Sequence, residues 1–519
     1  MPVDTPSHEY EAYIDIWQRC RHCYEGSDSV KKAGTDYLPP LDSHKANALG
    51  YEAYKLRALF YNATGRTVDG LAGSIFQKPP RWEVSKTAEE YLRDITLSGV
   101  TAEMFALRST RNVLSLGRWG ILVDMAKEEK ERGPARPYVV GYRAEDIYSW
   151  RTRSVGGDQQ THLVVLREQE QIEDPEDEFV PEREIRFRVL RLDKGRYAQE
   201  VWRKPRGKKD YERVESVMPK RRGVPLTFIP FVFMSATTVE PTIEKPPLLD
   251  LVDVNLSHYR TMADLEHGRH YTALPTPWVS GAIQGDEENE QLSIGSGVAW
   301  MLDTGGQAGM LEFSGAGLGS LLDADQEKRK MMATLGARLL EDVGGAETAT
   351  AVSMRHSGEH ATLRTIAAVL EQGLSKVVQW IDWWMGTEAT PEKVKSQIVL
   401  NKEFFAIKAS PGEVQAALAA LQAEKISYPT FYNILAEGGW TREGVDYKKE
   451  LSDIDIDRES NEAQGIAGAA EPEPAEPEPD EPEPDEPEPD EPEPDEPEPD
   501  EPEPDEPWSP YPDKPMPKG

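Results

Sequence analysis

The stretch from Leu248 to Gly386 decides the fold of this chain, and it opens with LLDLVDVNLSHYRTMADLEHGRH at residues 248–270. Apolar side chains recur there at three- and four-residue spacing, which places them on one face of a predicted helix. The residues of this face are Leu248, Val252, Leu256, Tyr259 and Ala263. TPWVSG (276–281) and SGVAWML (296–302) follow, separated by turn-forming Gly, Asp and Asn residues. These two segments predict a small β-rich excursion.

A second predicted helix, SLLDADQEKRKMMATLGARLL at residues 320–340, returns the chain from this excursion. The loop EDVGGAETAT (341–350) follows, and a third helix is predicted from about Val352 to Met385. Apolar residues repeat along the third helix at heptad-like spacing. They are Leu363, Ile366, Ala367, Leu370, Leu374, Val377, Ile381 and Met385. At about 1.5 Å per residue the third helix would span roughly 50 Å.

The residues before this stretch predict helices first and strands second. A peripheral helix is predicted for the segment EYEAYIDIWQRCRHCYEG. The proline-rich segments YLPPL and FQKPP mark the two ends of one long predicted helix. Its predicted apolar side consists of Tyr51, Tyr54, Leu56, Leu59, Phe60, Val68, Leu71, Ala72 and Ile75. TAEMFALRSTRNVLSLG predicts a helix that ends at Gly117 and leads into the buried strand WGILVDM.

Strand-like segments fill residues 138–232 and predict a meander with one face in water, interrupted by a charged flap at residues 168–184. After the long third helix, IVLNKEFFAI predicts a strand, and GEVQAALAALQAEK and YPTFYNILAEGG predict two helices. The fold class is therefore α+β.

The order of helix, β-rich excursion, returning helix, loop and long helix resembles the central part of tailed-bacteriophage portal proteins. Three segments also resemble one portal subfamily in their local amino-acid sequence: YLPPLDSHKANALGYEAYKLRALFYNATGRTVDGLAGSIFQKPP, ETATAVSMRHSGEHATLRTIAAVLEQGL and EKISYPTFYNILAEGGW. The resemblance covers about Tyr37 to Leu451 and includes no catalytic fingerprint.

The resemblance implies a portal fold with a mixed α/β wing, a helical stem, a small β-rich clip, a long wing helix and a helical crown. Its boundaries in this sequence would be 1–245 for the wing, 246–341 for stem and clip, 342–386 for channel loop and long helix, and 387–460 for the crown. Residues 461–519 would be a disordered tail, which the family does not require. The implied function is that of a homo-oligomeric ring, dodecameric in the family, at one vertex of a phage capsid.

As the resemblance implies, such a ring acts in head assembly, genome packaging and ejection, and head-to-tail joining. Its partners would be terminase, capsid and head-to-tail adaptor proteins, together with double-stranded DNA that passes without sequence-specific contact. Neither an enzymatic activity nor a cofactor or metal is expected. The expected location is the virion, after synthesis in the host cytoplasm.

The resemblance also assigns candidate site residues. The channel loop would contain Glu341, Asp342, Val343, Gly344, Gly345 and Glu347, and the DNA-facing stem would contain Lys328, Arg329 and Lys330. A duplex that must slide should not be gripped, and an acidic or mixed wall repels phosphates instead of holding them. Ordinary helix-end and surface charge is the alternative interpretation of all these charged residues.

Charge separates the tail from the rest of the chain. Residues 471–519 hold 22 acidic and 2 basic residues, and the chain before them carries a net charge of −14 out of a total of −34. The tail contains six tandem copies of Glu-Pro-Glu-Pro-Asp from Glu476 to Asp505, with no apolar residue to bury in that run. This composition predicts disorder biased to polyproline II. An interaction scaffold whose acidic tail recruits basic partners is therefore one alternative function.

A zinc metallohydrolase is the second alternative, because His356-Ser-Gly-Glu-His360 matches H-x-x-E-H. On a helix this spacing places both histidines on one face, where they could bind zinc while Glu359 activates water. Against it, Gly358 weakens the helix that the motif needs, and no distinctive third-ligand motif follows.

Other short motifs favour structural interpretations. Cys20 and Cys23 have zinc or redox spacing, but the chain has no further cysteine, so packing is favoured and a disulfide framework is excluded. The run from Gly315 to Ser320 fails the dinucleotide spacing and predicts a turn into the second helix. The basic clusters KPRGKK (204–209) and KRR (220–222) are typical of solvated surface, and no Walker A sequence is present.

The beginning of the chain, MPVDTPSHEYEAYID, lacks the basic and apolar regions of a secretory signal. The longest uncharged run, from Gly223 to Val239, is shorter than the ~20 residues of a spanning helix and contains two prolines. No membrane segment is therefore expected.

Overall fold

A computed structural model describes residues 2–42, 48–126, 135–172, 182–274, 276–282, 302–311, 315–336, 349–402, 404, 411–437, 440–441 and 445–463. The chain divides into two compact units, Met1–Ala406 and Ile407–Gly519. The predicted tail at 461–519 lies outside the described residues except for its first three, which end a helix. The five-part division predicted from the sequence stays a prediction.

The first unit begins with helices that their own flanking residues cap. They are α1 (His8–Glu25), α2 (Ser27–Ala33), α3 (Ala48–Arg57), α4 (Ala63–Ile75), α5 (Lys86–Glu89) and α6 (Ala102–Leu116). The side chains of Ser7, Asn62 and Thr101 accept backbone N–H bonds at the starts of α1, α4 and α6. Such caps satisfy N–H groups that the first helical turn leaves without partners. Gly117, with φ +70°, ends α6 where the sequence predicts.

The single long helix predicted between the two proline markers is wrong, because α3 and α4 are separate helices. The side chain of Asn62 accepts a hydrogen bond from the N–H of Gly65 at 2.7 Å and starts α4 afresh. Leu56 and Leu59, assigned to the apolar side, are instead 77% and 53% exposed. Periodicity alone did not reveal the break, since apolar residues continue through it.

A three-stranded antiparallel sheet has the order β11-β2-β3, with strands β2 (Trp119–Met125), β3 (Pro137–Arg143) and β11 (Phe231–Met234). The predicted strand WGILVDM is β2, and it is buried along almost its whole length. Gly141 allows the Trp119 ring to cross β3, because a Cβ at this glycine would lie 2.2 Å from Cζ2 of Trp119.

A five-stranded antiparallel meander has the order β4-β5-β6-β7-β8. Its strands are β4 (Ile147–Val155), β5 (Asp158–Ile172), β6 (Glu182–Asp193), β7 (Arg196–Arg203) and β8 (Glu212–Val217). The sequence missed β8, an edge strand that is exposed throughout. The sequence also predicted that one face of the meander is exposed to solvent, but both faces are covered at the centre of the sheet. On one face Val164 and Leu190 belong to the main core. On the other face a small second cluster contains Val165, Phe187 and Val189. Of the predicted flap, residues 173–181 lie outside the described part.

Two further sheets are short antiparallel pairs. One joins β1 (Arg81–Glu83) to β14 (Gln397–Val399), and the other joins β9 (Lys220–Arg221) to β10 (Val224–Pro225). The predicted strand IVLNKEFFAI therefore pairs, through its first residues, with a strand far upstream in the first unit. Single 3-10 turns occupy Gly34–Asp36, Glu90–Arg93, Ala144–Asp146 and Pro391–Lys393.

The stretch from Leu248 to Gly386 forms helix α7 (Leu249–Ala273), strands β12 (Thr276–Ala282) and β13 (Leu302–Leu311), and helices α8 (Leu318–Leu335) and α9 (Ala349–Met385). The strands pair antiparallel, as expected for a β-rich excursion. The second strand differs from its prediction: residues 296–301 lie outside the described part, and β13 runs through the glycine-containing LDTGGQAGML instead. Residues 337–340 of the predicted second helix also lie outside it.

Helix α9 forms the centre of the main core. It has 37 residues, or roughly 55 Å at the standard rise. The predicted apolar positions from Leu363 to Ile381 are buried, and Met385 is half-buried. Trp380, Trp383 and Trp384 are buried as well, so the last turns of α9 are enclosed on more sides than the heptad-like pattern indicates. Helix α9 packs on β11, where Gly373 leaves room for the side chain of Met234.

Polar groups complete the C-terminal end of α9. The buried carboxylate of Asp382 accepts hydrogen bonds from Ser85 N at 3.0 Å, Ser85 Oγ at 2.6 Å and Ser396 Oγ at 2.5 Å. The guanidinium groups of Arg221 and Arg222 donate to the carbonyl of Gly386 at 2.7 and 2.8 Å. Cations are favourable at this end of a helix, where backbone carbonyls have no helical partners.

The second unit contains α10 (Pro411–Gln422), α11 (Tyr428–Glu437) and α12 (Tyr447–Ala463). The two predicted helices of this region correspond to α10 and α11, and the sequence missed α12. Ala417 and Tyr432 are buried, and the Tyr432 hydroxyl donates to the carbonyl of Val445 at 3.1 Å.

Replacing Asp382 by alanine should lower the free energy of unfolding by about 2–4 kcal/mol, because three donors lose their acceptor in a buried place. Urea unfolding measures the change. Glu388→Ala, at an exposed position just beyond the same helix, is the control and should stay within about 0.5 kcal/mol of the unaltered protein. Equal effects of the two substitutions would contradict this role of Asp382.

Candidate functional site

Helices α7 and α8 pack antiparallel and form the candidate site, because they hold the residues assigned to the stem. Gly268 in α7 lies against Leu318, where a Cβ would be 2.7 Å from Cδ2 of the leucine. At the other end of α8, Gly336 lies against α4 and α7, where a Cβ would be 2.7 Å from Cγ2 of Thr67 and 3.3 Å from Cδ2 of Leu251. Glycines at both ends therefore allow the two helices to approach closely.

Helix α7 changes its surroundings along its length. Its buried residues run from Leu251 to Leu265, and from Glu266 onward its residues are half-buried or exposed. The first part is fixed to the N-terminal helices by Asn255, which is fully buried. Its Oδ1 accepts from the N–H of Thr64 at 3.1 Å and its Nδ2 donates to the carbonyl of Tyr61 at 2.7 Å. Both partners lie at the break between α3 and α4.

A second anchor joins α3 to α7 further along. The hydroxyl of Tyr54 donates to Oδ1 of Asp264 at 2.5 Å, and the Tyr54 ring meets the His267 ring edge-on with centroids 5.1 Å apart. Burial and the neighbouring Asp264 carboxylate raise the pKa of Tyr54 far above its ordinary value. The hydroxyl therefore remains a donor across the physiological pH range.

The structure gives the three predicted DNA-facing stem residues different surroundings. Lys328 is half-buried and its ammonium donates to the carbonyl of Ser257 at 3.3 Å and to the hydroxyl of Thr261, both on α7. Burial lowers the pKa of Lys328, and Arg260 adds to this effect. Arg329 contacts Asp325 at 2.8 Å, and Lys330 is exposed. Lys328 thus joins the two helices, while Arg329 and Lys330 lie at the surface of α8.

A buried contact between a histidine and an aspartate carboxylate lies beside Lys328. Nε2 of His258 is 2.7 Å from Oδ1 of Asp325, and the two side chains are 0% and 7% exposed. The approach is not aligned as a linear hydrogen bond. Burial is the main cause of a lowered pKa at His258, and the Asp325 carboxylate opposes it. The other oxygen of the Asp325 carboxylate contacts the guanidinium group of Arg329.

The α7–α8 pair exposes large apolar side chains at its hairpin end and along the surface of α8. In α7 and the segment after it these are Tyr271 and Leu274; in the hairpin they are Trp278, Met310 and Leu311; in α8 they are Leu322, Met331 and Leu335. Their exposed fractions range from 37% for Leu322 to 59% for Leu274. A concentration of large exposed apolar residues of this kind is typical of a surface that another protein covers.

The predicted channel loop lies outside the described residues. Glu341, Asp342, Val343, Gly344, Gly345 and Glu347 fall between Gly336, where α8 has ended, and Ala349, where α9 begins. Their assignment stays a prediction.

The structure describes the backbone, but not the side chains, of the motif on which the zinc alternative depends. Residues 356–360 belong to the helical backbone of α9, so the histidine spacing does fall on a helix. The side chains of His356, Glu359 and His360 lie outside the described part, and the hypothesis stays a prediction. Within the part of the chain that is described, no cluster of three metal-binding side chains occurs.

Cys20 and Cys23 are fully buried in the core formed by α1 and its neighbours. Burial raises the pKa of the Cys20 thiol to about 12 and that of Cys23 higher still. Neutral thiols in an apolar core neither react readily nor bind metals, so the packing interpretation fits the structure.

The remaining motifs have local structural roles. Gly315, with φ +67°, precedes the start of α8, as the predicted turn requires. In KPRGKK, Lys208 contacts Glu212 at 2.6 Å at the surface. In KRR, Arg221 and Arg222 bind the end of α9, and the Arg221 guanidinium lies 4.5 Å from the centre of the Trp383 ring.

Sequence reasoning missed Asn255, His258 and Asp325. Asn255 did carry a signal, since it falls between Val252 and Tyr259 on the predicted apolar face of α7, where a polar residue is informative. His258 and Asp325 carried none, because their contact joins residues 67 positions apart on two helices. Among the described residues, no helix is both long and apolar enough to cross a membrane.

Comparisons with known proteins give a family match and structural similarities. A family model described as a domain of unknown function, DUF4055, matches residues 247–385, which run from the start of α7 to the end of α9. A comparison with curated protein sequences gives no match.

Two similar solved structures belong to gene transfer agent (GTA) particles, which are phage-like. One is the neck of an empty GTA particle computed with C6 symmetry: TM-score 0.35, 12% identity, covering 74% of this chain and 92% of that one. The other is the neck of a native GTA particle computed with C12 symmetry: TM-score 0.34, 13% identity, covering 73% and 91%. Both similar structures are described as particle necks.

Replacing Lys328 by alanine should lower the free energy of unfolding by about 1–2 kcal/mol. The reason is that the Ser257 carbonyl and the Thr261 hydroxyl on α7 lose the ammonium group that donates to them. Lys330→Ala removes the same charge two positions away at an exposed site and should change stability by less than about 0.5 kcal/mol. Urea unfolding of both variants provides the comparison. A Lys328 variant as stable as the Lys330 variant would show that Lys328 does not hold the helices together.

Proposed function

We propose that this chain is the subunit of a ring-shaped head-to-tail connector in a phage-like particle, and that the ring is a portal through which DNA passes. The observation that carries the proposal is the α7–α8 pair with its hairpin. Contacts of Asn255 and Tyr54 fix α7 to the N-terminal helices, while large apolar side chains at the hairpin end and on α8 are exposed among the described residues.

Further copies of the same chain are the simplest cover for these side chains. A contact between two unlike faces of identical subunits repeats around an axis and closes into a ring when the rotation allows it. The exposed Met331 and Leu335 of α8 would then pack on a neighbouring subunit. The order of α7, hairpin, α8 and α9 agrees with the stem, clip and long helix that the sequence resemblance implies.

The proposed mechanism is geometric and needs no bond chemistry, so the chain has no enzymatic activity or cofactor under this proposal. Helix α8 exposes both signs of charge, with Asp323 and Glu327 close to Arg329 and Lys330. Affinity for DNA rises with the number of phosphates that cations neutralise, so a wall of mixed sign holds a duplex weakly. Weak contact lets the duplex slide through the ring.

The finer assignments belong to the same proposal. Residues Glu341 to Glu347 line the constriction, the ring is a dodecamer at the capsid vertex, and terminase, capsid and adaptor proteins bind it in turn. The resemblance to portal proteins supports these assignments, and the chemistry of the exposed charges is compatible with them.

Replacing Met331 and Leu335 together by glutamate should prevent ring formation, since each subunit contact would then bury unpaired carboxylates. Negative-stain electron microscopy and native mass spectrometry of the full chain measure this. Ile185→Glu is the control, because Ile185 in β6 is 42% exposed and Leu335 is 41% exposed. Rings from the double variant would exclude this face as the contact, and a full chain that never forms rings would exclude the proposed function.

Deleting Gly344 and Gly345 should impair DNA packaging while the rings stay intact, because the deletion shortens the proposed constriction without altering α8 or α9. The measurement is the length of packaged DNA in particles that carry the variant, with electron microscopy of the purified rings as the control. Packaged DNA of normal length would rule out the assignment of this loop to the channel.

A further inference from the structure

We infer that the groove between the strands β4 and β11 is a docking site for an extended segment of a partner protein. The segment pairs with the free edge of β4 and brings one carboxylate to the buried guanidinium group of Arg118. The inference goes beyond the proposed function, because it concerns a surface of the single chain and does not depend on ring formation.

The groove lies where two sheets end. Among the described strands, β4 is the last strand of the five-stranded sheet and β11 is the last strand of the three-stranded sheet. Residues 150–152 of β4 and 231–233 of β11 line one groove of about 1440 Å³, together with the start of α1 and the segment 239–243. A terminal strand leaves backbone N–H and C=O groups without ladder partners, and an extended peptide can pair with them. This kind of recognition requires a peptide backbone, so it favours a protein over a nucleic acid.

Strand β4 is the more accessible of the two edges. All four residues of β11 are buried, whereas residues 151–155 of β4 are exposed or half-buried. The N–H of Ser7 binds the carbonyl of Tyr148, at 3.0 Å, in the first part of β4. Beyond their pairing with β5, residues 151–155 make no backbone hydrogen bond to another described element. This half of β4 is therefore free to accept a further strand.

Arg118 supplies the second part of the site, a buried guanidinium group without a carboxylate partner. Its side chain lies against the rings of Trp150 and Phe233, 4.2 and 5.0 Å from the ring centres, and the residue is 2% exposed. Nη1 donates to the carbonyl of Pro241 at 2.9 Å and to that of Thr242 at 3.4 Å. Within the part of the chain that the structure describes, Nε and Nη2 have no hydrogen-bond partner.

The surroundings of Arg118 connect it to the groove. Each of the four residues that contact its guanidinium group also lines the groove. Burial lowers the pKa of Arg118 to about 9, and the charge of Glu9 opposes this effect, so the group stays charged at neutral pH. A buried charge without a partner is unfavourable. A carboxylate fits Nε and Nη2, because its two oxygens accept from two adjacent guanidinium N–H groups at once.

The half-buried Trp150 is the part of the wall that can move, since Phe233 on the other side is buried. A displaced Trp150 ring would open Nε and Nη2 to the groove. The carboxylates that line the groove belong to Glu9, Asp158 and Glu240, and all three residues are exposed, where water screens their charge. The segment therefore brings a single carboxylate and is otherwise uncharged.

Fluorescence anisotropy with the full-length chain tests the site. The probes are two labelled peptides with blocked ends, Thr-Val-Thr-Glu-Val-Thr-Val and the same peptide with glutamine in place of glutamate. The glutamate peptide should bind about tenfold more tightly, because only its carboxylate pairs with the buried charge. Arg118→Met should abolish this difference. Arg196→Met, which removes an exposed arginine at the start of β7, should retain it.

The stability of Arg118→Met gives an independent check on the role of Arg118. An apolar side chain of similar length replaces a buried charge that has no carboxylate partner, so urea unfolding should show a variant no less stable than the unaltered chain. A strongly destabilised variant would show that Arg118 serves the fold alone and would overturn the docking site.

Methylation of alternate backbone nitrogens separates strand pairing from side-chain binding. Alternate residues of a paired strand direct their N–H groups toward the neighbouring strand, so one set of methyl groups should abolish binding of the glutamate peptide and the other set should not. Equal effects of the two sets, no binding of either peptide at millimolar concentration, equal binding of both, or a difference that survives Arg118→Met would overturn the docking site. Binding confined to dissociated single chains would assign the groove to a second copy and overturn the partner assignment.

Discussion

The buried amide of Asn255 is the contact on which the arrangement of the helices depends. A break between two helices leaves backbone groups without helical partners, and such groups are costly to bury unless another group binds them. Asn255 does so for Thr64 and Tyr61 with one side chain that both accepts and donates. Since Asn255 belongs to α7, the same bonds determine where α7 lies against the N-terminal helices.

The position of α8 follows from that of α7. Lys328 donates to α7, Asp325 approaches His258, and glycines at both ends of the pair allow close packing. These polar contacts concentrate on the base of α7, and the opposite surface and far end retain exposed apolar residues. The polar contacts between α7 and α8 are thus made within one chain, and the large exposed apolar side chains lie elsewhere on the pair.

The main core shows the same combination of apolar packing and polar closure. Helix α9 is buried between elements that come from distant parts of the sequence, including β11, α5 and β14. Its tryptophans supply large apolar area, while Asp382, Arg221 and Arg222 bind the polar groups at its C-terminal end. Such partners are favourable at the end of a largely enclosed helix, because its last carbonyls have no helical donors.

The sequence by itself determined the elements whose signals are local. Apolar spacing predicted α7, α8 and α9, Gly117 marked the end of α6, and the acidic Pro-rich repeat separated the tail by composition. The resemblance to portal proteins likewise came from the order of these elements.

Only the tertiary structure decided features that depend on residues far apart in the chain. It split the predicted helix at Asn62, because the break is satisfied by Asn255, 193 positions later. It divided the strands of the predicted meander between two sheets, and it directed Lys328 toward α7 while leaving Arg329 and Lys330 at the surface. Spacing along a helix identifies a face, but only the groups that pack against that face decide whether a lysine such as Lys328 joins two helices or stays in solvent.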